Sequence, residues 1–349
     1  MASSTIVRHL AAMGTALSLS VSAPTRDAAL HASEAGMREI ERIEALLSTW
    51  RKDTPLARLN TAAPGTPHEI PAPLFALLKR VFEWSERTDG AFDPTVLPLV
   101  RAWGLRSSGR IPGADELRTA RGATGRDLFT FEESSLRVTR RDALAGIDEG
   151  AWGKGWALDK AAAAMREAGA ASAILDLGGQ ILAFGEDAEI DIADPRDRTV
   201  SAGRFCLRNA SASTSGNSER GMVVNGRRIG HLLDPRTGFP ADDFGSVTVI
   251  APDGLVADVL STAFFVLGPA DGLALSQRLR ADGVVHETLF CLEGEDGPAG
   301  RVSMSPGMKR LVDLSPSAAH APERSVARAV STVAPLSLPH SKKSEGVRP

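Results

Sequence analysis

Long amphipathic helices and short hairpin-forming strands follow one another along this chain without a regular repeat. Apolar and polar residues alternate from Thr15 to Val21, which predicts a half-buried strand. A helical period then runs to about Leu47, after a capping residue at Thr25 or Asp27. A βαβ protein would space its strands and helices evenly, so this pattern instead predicts an α+β fold with antiparallel sheets and several long helices.

The remaining elements follow from the same periodicities and from turn residues. Helices are predicted at 71–87, 114–120, 155–168, 255–267 and 269–280, and strands in a hairpin at 127–139, at 173–177 and 181–184, and in short pieces over 189–249 and 284–314. After Leu314 the composition changes to Ser, Ala, Pro, Arg and Lys with little periodicity. We therefore predict an N-terminal extension at 1–12, one folded domain at 13–314 and a disordered tail at 315–349.

Composition excludes several classes of protein. A hydrophobic content of 43% in 349 residues is enough for a buried core. The net charge of −3 gives no electrostatic footprint for a nucleic acid, so no nucleic-acid partner is expected. Only Cys206 and Cys291 occur, which excludes a cysteine-rich zinc site and a dense disulfide framework.

The sequence also predicts where the protein resides. No apolar run approaches the roughly 18 residues of a membrane-spanning helix, so no membrane span is expected. The first dozen residues lack the pattern of an export signal and a lipid-accepting cysteine. As the sequence stands, this predicts a cytoplasmic location; a periplasmic location would follow if the assigned start is misplaced.

The segment Gly230–Pro240 is the strongest functional signal. It holds the imidazole of His231, the carboxylate of Asp234 and the guanidinium of Arg236 among glycines and prolines, which predict a loop. Loops on a rigid scaffold often carry binding and catalytic groups. The alternative is a surface hairpin with a solvated histidine.

Other segments accompany it in a fixed order. They are Met13–Thr15, Gly90–Gly104, Asp148–Asp159, Asp176–Gln180, Ala212–Gly216 and Ala257–Ala263. In this order and at these spacings, the set resembles the ApbE family of flavin transferases, which move FMN from FAD onto a hydroxyl of a target protein. The resemblance runs from about Met13 to about Leu314 and implies an ApbE-like body.

A candidate metal site lies on the predicted helix from 255. Asp258 and Thr262 are four residues apart, so both side chains project from one face. In isolation, Thr262 could simply bond back to the carbonyl at position 258. The resemblance implies that the pair binds Mg²⁺ together with a main-chain oxygen from the 148–155 loop, for which Ala151 is expected; oxygen ligands suit this ion.

One position departs from the family pattern. Some relatives carry a further acidic ligand where this chain has Leu255, and Asp253 replaces it only if the loop bends back. The nearby Gly153–Gly155 is not a P-loop, because Gly155 occupies the hydroxyl position of that motif. The start of the helix that follows still favours phosphate binding.

The resemblance also implies which residues contact FAD. They are Met13, Trp50, Ala91, Phe92, Asp93, Asp148, Lys154, Ser213, Thr214, Ser215 and Leu232. The residues themselves leave other interpretations open: Met13 and Phe92 as core, Asp93 as a turn or helix cap, and Lys154 as a surface lysine.

The implied reaction is Mg²⁺-dependent transfer of FMN from FAD to a Thr or Ser of an acceptor protein of electron-transfer type, releasing AMP. His231 is expected to be the general base, since its ordinary pKa of about 6.5 suits proton transfer at neutral pH. Alternatively Asp234 is the base and His231 orients it. Arg236 is expected to hold the turn as a structural fork, or to bind phosphate. Hydrolysis of FAD to FMN and AMP, and FAD binding without turnover, are the alternative functions.

Overall fold

The computed structural model describes residues 3–218, 222–224, 226–293 and 301–314. The helices are α1 (Arg26–Leu47), α2 (Pro55–Thr61), α3 (Ala72–Arg87), α4 (Leu97–Ala102), α5 (Ala114–Gly122), α6 (Gly153–Glu167), α7 (Gly254–Ala281) and α8 (Met308–Leu311). The strands are β1 (Ser4–Ala12), β2 (Thr15–Ala23), β3 (Pro67–Glu69), β4 (Phe129–Glu132), β5 (Arg137–Arg140), β6 (Ser172–Leu177), β7 (Gln180–Phe184), β8 (Ala188–Ala193), β9 (Ser201–Leu207), β10 (Ala210–Gly216), β11 (Met222–Val224), β12 (Arg227–Ile229), β13 (Gly245–Ala251), β14 (Glu287–Leu292), β15 (Arg301–Met304) and β16 (Val312–Asp313). The predicted disorder of 315–349 concerns residues outside the described ranges.

An eight-stranded sheet organises the molecule and confirms the predicted α+β class. Its strand order is β1-β2-β6-β7-β10-β13-β14-β15, and each neighbouring pair is antiparallel. Smaller sheets join β16-β9-β8, β3-β5-β4 and β11-β12. Helix α6 packs against both α1 and α7, and the three helices cover strands of the large sheet.

Most of the segment predicted as an N-terminal extension at 1–12 forms a strand of this sheet. Strand β1 pairs with β2 along its whole length, from Ser4 opposite Ala23 to Ala12 opposite Thr15. Met13 and Gly14 form the two-residue turn between them, with φ values of 49° and 73°. Positive φ at both positions is typical of the tight hairpin turn whose twist matches its strands.

Strand β2 is buried on both faces, whereas its alternation predicted a half-buried strand. Leu17 and Leu19 lie in the main core, and Ser18 between them is fully buried as well. The strand is internal to the sheet, and its serines are small enough to be covered by their neighbours. The Ser18 hydroxyl is hydrogen bonded to Nδ1 of His9 at 3.1 Å.

Helices α6 and α7 meet backbone to backbone at their N-termini. A methyl group built on Gly155 would lie 2.0 Å from the carbonyl oxygen of Gly254, and one built on Gly254 would lie 2.4 Å from the carbonyl oxygen of Gly155. Only glycine permits this approach at both positions. The contact fixes the start of one helix against the first turn of the other.

Helix α7 has a break where two separate helices were predicted to meet. Gly268 has a non-helical φ of 77°, and Pro269 follows it. By length and composition α7 is also the one helix of the described residues that could cross a membrane, with a mean hydropathy of 1.5 in its most apolar window. Its first half is buried, with Val259, Leu260 and Phe264 in the main core, as in the core helix of a folded domain.

Candidate active site

The carboxylate of Asp258 joins α7 to the start of α6. Asp258 is buried, and its Oδ2 accepts a hydrogen bond from the main-chain amide of Gly155 at 2.9 Å. Its Oδ1 lies 3.5 Å from Nζ of Lys154. The first amides of a helix have no partner inside that helix, so the carboxylate caps α6 from outside.

Two neutral oxygens lie near this contact: the main-chain carbonyl of Ala151, just before α6, and the side-chain hydroxyl of Thr262 on α7. The amide of Trp156 bonds to the carbonyl of Trp152 at 3.2 Å, and the Gly155 amide is taken by Asp258. Among the described residues, the carbonyl of Ala151 therefore accepts no backbone hydrogen bond. Thr262 is half-buried, and its hydroxyl likewise makes no hydrogen bond within the described ranges.

The chemistry of these donors fits a hard divalent cation. One carboxylate, one hydroxyl and one carbonyl are ligands that Mg²⁺ accepts, and this ion usually keeps several waters as well. The described part of the chain contains no group of three or more His, Cys, Asp and Glu side chains that could hold a metal. A metal site here would therefore depend on Asp258 as its charged ligand.

Asp253 does not replace the acid that is missing at Leu255. Its carboxylate caps α7 by accepting from the amide of Val256 at 2.9 Å, and it also pairs with Arg80 at 2.8 Å. The Leu255 side chain is fully buried, and its amide donates to Asp159. Asp253 and Asp159 thus both accept from main-chain amides at the start of α7.

Asp159 is a half-buried carboxylate that sequence reasoning did not single out. It lies on α6 and accepts from the amides of Gly254 at 2.6 Å and Leu255 at 3.0 Å. Burial raises its pKa to about 6, against the opposing effect of these hydrogen bonds. The side chain ties α6 to the first turn of α7 a second time.

A hydroxyl cluster joins α7 to β10. Ser261 lies 3.1 Å from the hydroxyl of Ser213, accepts from the hydroxyl of Ser215 at 2.9 Å, and lies 3.0 Å from the carbonyl of Asp258. Ser261, rather than Thr262, therefore bonds back to that carbonyl. Sequence reasoning missed Ser261, although a serine beside Thr262 on a helix facing a serine-rich strand was a usable signal.

Thr214 is separated from Ser213 and Ser215, with which it was grouped as a ligand contact. Successive side chains of a strand point to opposite faces of the sheet. The Thr214 hydroxyl is bonded at 2.8 Å to that of Thr248 on the neighbouring strand. The Thr214 side chain therefore lies on the face of the sheet opposite Ser213 and Ser215, and its contact with FAD stays a prediction.

His231 is anchored at the end of the same strand. Its main-chain amide donates to Oδ1 of Asn217 at 3.1 Å, and Asn217 is fully buried directly after β10. Ser215 and Asn217 are two residues apart, a spacing that places side chains on one face and spans about 7 Å in a strand. The anchor of His231 and the contact to the Asp258–Thr262 turn therefore lie at the same end of β10.

The turn after His231 is held by an ion pair. The guanidinium of Arg236 donates to both carboxylate oxygens of Asp234, with Nε and Nη2 each at 2.9 Å. This pair raises the pKa of Arg236. Trp103 adds a hydrogen bond at 2.8 Å from its indole nitrogen to the carbonyl of Gly238. Arg236 is thus the structural fork expected from the sequence.

Trp50 and Asp148 are brought together by Arg106, which sequence reasoning missed. The Trp50 side chain is 70% exposed, and the Arg106 guanidinium carbon lies 5.1 Å from its ring centroid. Arg106 also pairs with Asp148 and lies 3.7 Å from Glu149. Burial, with a further contribution from the Asp148 charge, raises the pKa of Glu149.

The Asp93 side chain caps a turn, as one of the alternatives from the sequence predicted. One carboxylate oxygen accepts from the amide of Thr95 at 2.8 Å and its hydroxyl at 2.6 Å, and the other accepts from Ser85 at 3.1 Å. Desolvation raises the pKa of this buried group. Ala91 and Phe92 are also buried. These bonds are those of a turn cap, and the contact of Asp93 with FAD stays a prediction.

The remaining predicted contacts lie at the edges of the main core. The main-chain amide of Met13 donates to Oε2 of Glu44 at 3.0 Å, which holds the β1–β2 turn on α1. Leu232 is half-buried, packs on the core, and its carbonyl accepts from the amide of Ala241 at 2.8 Å. Two cavities of about 270 and 230 Å³ share Arg80 and Asp253, and neither is lined by His231 or Asp258.

Comparison with known proteins decides the family. The model of the ApbE family matches residues 13–285. The chain belongs to the ApbE family. It is 32% identical over 265 residues to the FAD:protein FMN transferase of Haemophilus influenzae, covering 70% of this chain and 76% of that protein. It is 34% identical over 262 residues to the protein of the same name from Treponema pallidum, covering 68% and 71%.

Solved ApbE structures share the fold. The ApbE protein of Thermotoga maritima matches with a TM-score of 0.80 at 30% identity, over 88% of this chain and 99% of that one. The apo form of the flavinyl transferase ApbE of Pseudomonas stutzeri matches with a TM-score of 0.75 at 26% identity, over 88% and 97%. The ApbE-like mixed α/β body predicted from the sequence is confirmed.

Proposed function

We propose that this chain transfers FMN from FAD to a Thr or Ser hydroxyl of an acceptor protein and releases AMP. The observation that carries the proposal is the shared anchoring at the end of β10. Ser215 contacts the α7 turn that bears Asp258 and Thr262, and Asn217 holds His231. ApbE relatives named FAD:protein FMN transferase give this arrangement its substrate.

His231 is the better candidate for the base that accepts the proton of the incoming hydroxyl. Both oxygens of Asp234 already accept hydrogen bonds from the Arg236 guanidinium, so this carboxylate is engaged in holding the turn. An imidazole with an ordinary pKa of about 6.5 accepts a proton readily at neutral pH.

The start of α6 is the candidate phosphate-binding surface. The amides of Gly155 and Trp156 already have acceptors in Asp258 and Trp152, so the ammonium group of Lys154 is the main positive group that this helix start offers to an anionic ligand. Asp258, Thr262 and the carbonyl of Ala151 would hold Mg²⁺ beside this surface. When bound, Mg²⁺ would neutralise negative charge on the pyrophosphate.

The proposed reaction is a substitution at the phosphorus of the FMN half. A bond forms between the acceptor oxygen and the phosphorus of the FMN half, and the bond from that phosphorus to the bridging pyrophosphate oxygen breaks. The acceptor proton passes to His231, and AMP leaves with the bridging oxygen. The contribution of the protein is mainly placement and electrostatic stabilisation.

The test uses the purified chain with FAD and Mg²⁺, with and without a candidate electron-transfer protein that bears an exposed Thr. We expect AMP in solution and an FMN-sized mass gain on the acceptor, both abolished in His231→Ala and in an acceptor whose Thr is changed to Val. AMP without acceptor would instead establish hydrolysis. Bound FAD without AMP would establish a carrier.

A further inference from the structure

Ser261 is the point at which the two halves of the candidate site are joined. Its side chain is fully buried, and its neighbours on α7 are the metal-binding candidates Asp258 and Thr262. Its partners on the other side, Ser213 and Ser215, lie on the strand whose end anchors His231.

We propose that Ser261 is a positioning residue that fixes the Asp258–Thr262 turn of α7 on β10, so that its oxygens stand at a set distance from His231. This inference rests on the proposed function and deepens it. Ser261 itself does not touch the reacting atoms in this proposal; it acts through Asp258 and Thr262.

The hydrogen-bond geometry supports the assignment. A hydroxyl has one proton, so Ser261 donates to either the Asp258 carbonyl at 3.0 Å or the Ser213 hydroxyl at 3.1 Å while it accepts from Ser215 at 2.9 Å. Both choices keep the turn attached to the strand. Removal of the hydroxyl leaves the buried Ser213 hydroxyl and the half-buried Ser215 hydroxyl without this partner, which costs more than the loss of an exposed bond.

The helix offers a matched control. Ser276 is also fully buried, and its hydroxyl is bonded at 2.7 Å to that of Thr288 on β14. It lies beyond the break at Gly268, away from the Asp258–Thr262 turn. Ser261→Ala and Ser276→Ala therefore remove the same group from the same helix, and only the first removes a contact to β10.

The experiment measures binding of Mn²⁺, as a spectroscopic substitute for Mg²⁺, by electron paramagnetic resonance in the full-length protein without FAD. We expect Ser261→Ala to weaken Mn²⁺ roughly tenfold, equivalent to one buried hydrogen bond, while Ser276→Ala binds like the wild type. Turnover at saturating FAD should fall in Ser261→Ala with little change in the KM for FAD. Equal Mn²⁺ affinities of the two variants would overturn the positioning role.

A double-mutant cycle gives a second test, and the Ser215→Ala variant alone gives a third if Ser261→Ala does not fold. Ser215→Ala and Ser261→Ala should have non-additive effects on Mn²⁺ affinity, because each breaks the same bond. If Ser261→Ala does not fold, Ser215→Ala alone must weaken Mn²⁺ relative to Ser276→Ala. A wild type that releases no AMP from FAD but shows these affinity differences would refute the proposed transfer and support the positioning role.

Discussion

The amide of Gly155 donates to the carboxylate of Asp258 at 2.9 Å, so a candidate metal ligand is also the cap of the neighbouring helix. The same carboxylate lies near Lys154 and is buried. Its loss therefore affects both the packing of α6 on α7 and the charge available to a cation.

Asp258→Asn separates these two roles. The amide oxygen of Asn can still accept from Gly155, but the charge that attracts a divalent cation is gone. We expect Mg²⁺-dependent AMP release to fall by at least about a hundredfold, while FAD binding weakens much less, measured by quenching of flavin fluorescence.

The control for this variant is Asp253→Asn, which changes an acid that caps α7 and pairs with Arg80. It should keep its Mg²⁺-dependent turnover. Unchanged turnover in Asp258→Asn would remove Asp258 from the metal site.

Gly155→Ala should destabilise the protein because its new methyl group meets the backbone carbonyl of Gly254 at 2.0 Å, which cannot move aside as a flexible side chain would. We expect a loss of about 2–4 kcal/mol in the free energy of unfolding, measured by urea denaturation. Gly122→Ala is the control, since nothing lies within 4 Å of its new methyl group. A similar stability for both variants would contradict the close packing of α6 on α7.

Asn217→Ala should lower turnover, because it removes the acceptor that holds the His231 amide. We expect a loss of about tenfold or more in kcat for AMP release, since small displacements of a catalytic group are costly. Asn60→Ala is the control: it removes a buried Asn that bonds both backbone groups of Ile147, so it should lower the melting temperature and spare kcat. A kcat loss no greater in Asn217→Ala than in Asn60→Ala would argue against the anchor.

Asp159 makes stability depend on pH in a defined direction. Its folded pKa of about 6 lies above the ordinary value of 3.8, so between these values the folded state binds more protons than the unfolded state. The contribution of Asp159 to stability is therefore largest below the ordinary pKa and is lost as pH rises through the folded pKa.

Asp159→Asn should remove this contribution. The difference in unfolding free energy between wild type and variant is expected to change by about 1–2 kcal/mol between about pH 7 and about pH 5, with the wild type gaining at the lower pH. Urea denaturation at both values measures it. A wild type that gains nothing relative to the variant on acidification would contradict the raised pKa of Asp159.

The sequence predicted the long helices well because their periodicity is strong. Helix α1 ends at Leu47 as expected, and its cap at Thr25 is confirmed by the bond to the Ala28 amide at 3.2 Å. Helices α2 and α4 were not predicted, since each is short and is formed by packing rather than by its own period.

Side-chain direction and cross-strand pairing limited the prediction of the site. The family resemblance grouped Thr214 with Ser213 and Ser215, and only the pairing with β13 shows that its side chain faces Thr248. Likewise, Asp93 is a sound ligand by chemistry, but Thr95 and Ser85 already satisfy its carboxylate. Such competition between internal partners is decided by tertiary structure.

The break at Gly268 divides α7 into two lengths with different attachments. The part before it carries Asp258 and is fastened to α6 and β10; the part after it is fastened to β14 through Ser276. A substitution that removes the Ser276 contact should therefore leave the ties of Asp258 to α6 and of Ser261 to β10 in place, so one helix can hold its metal-ligand turn and its β14 contact by separate bonds.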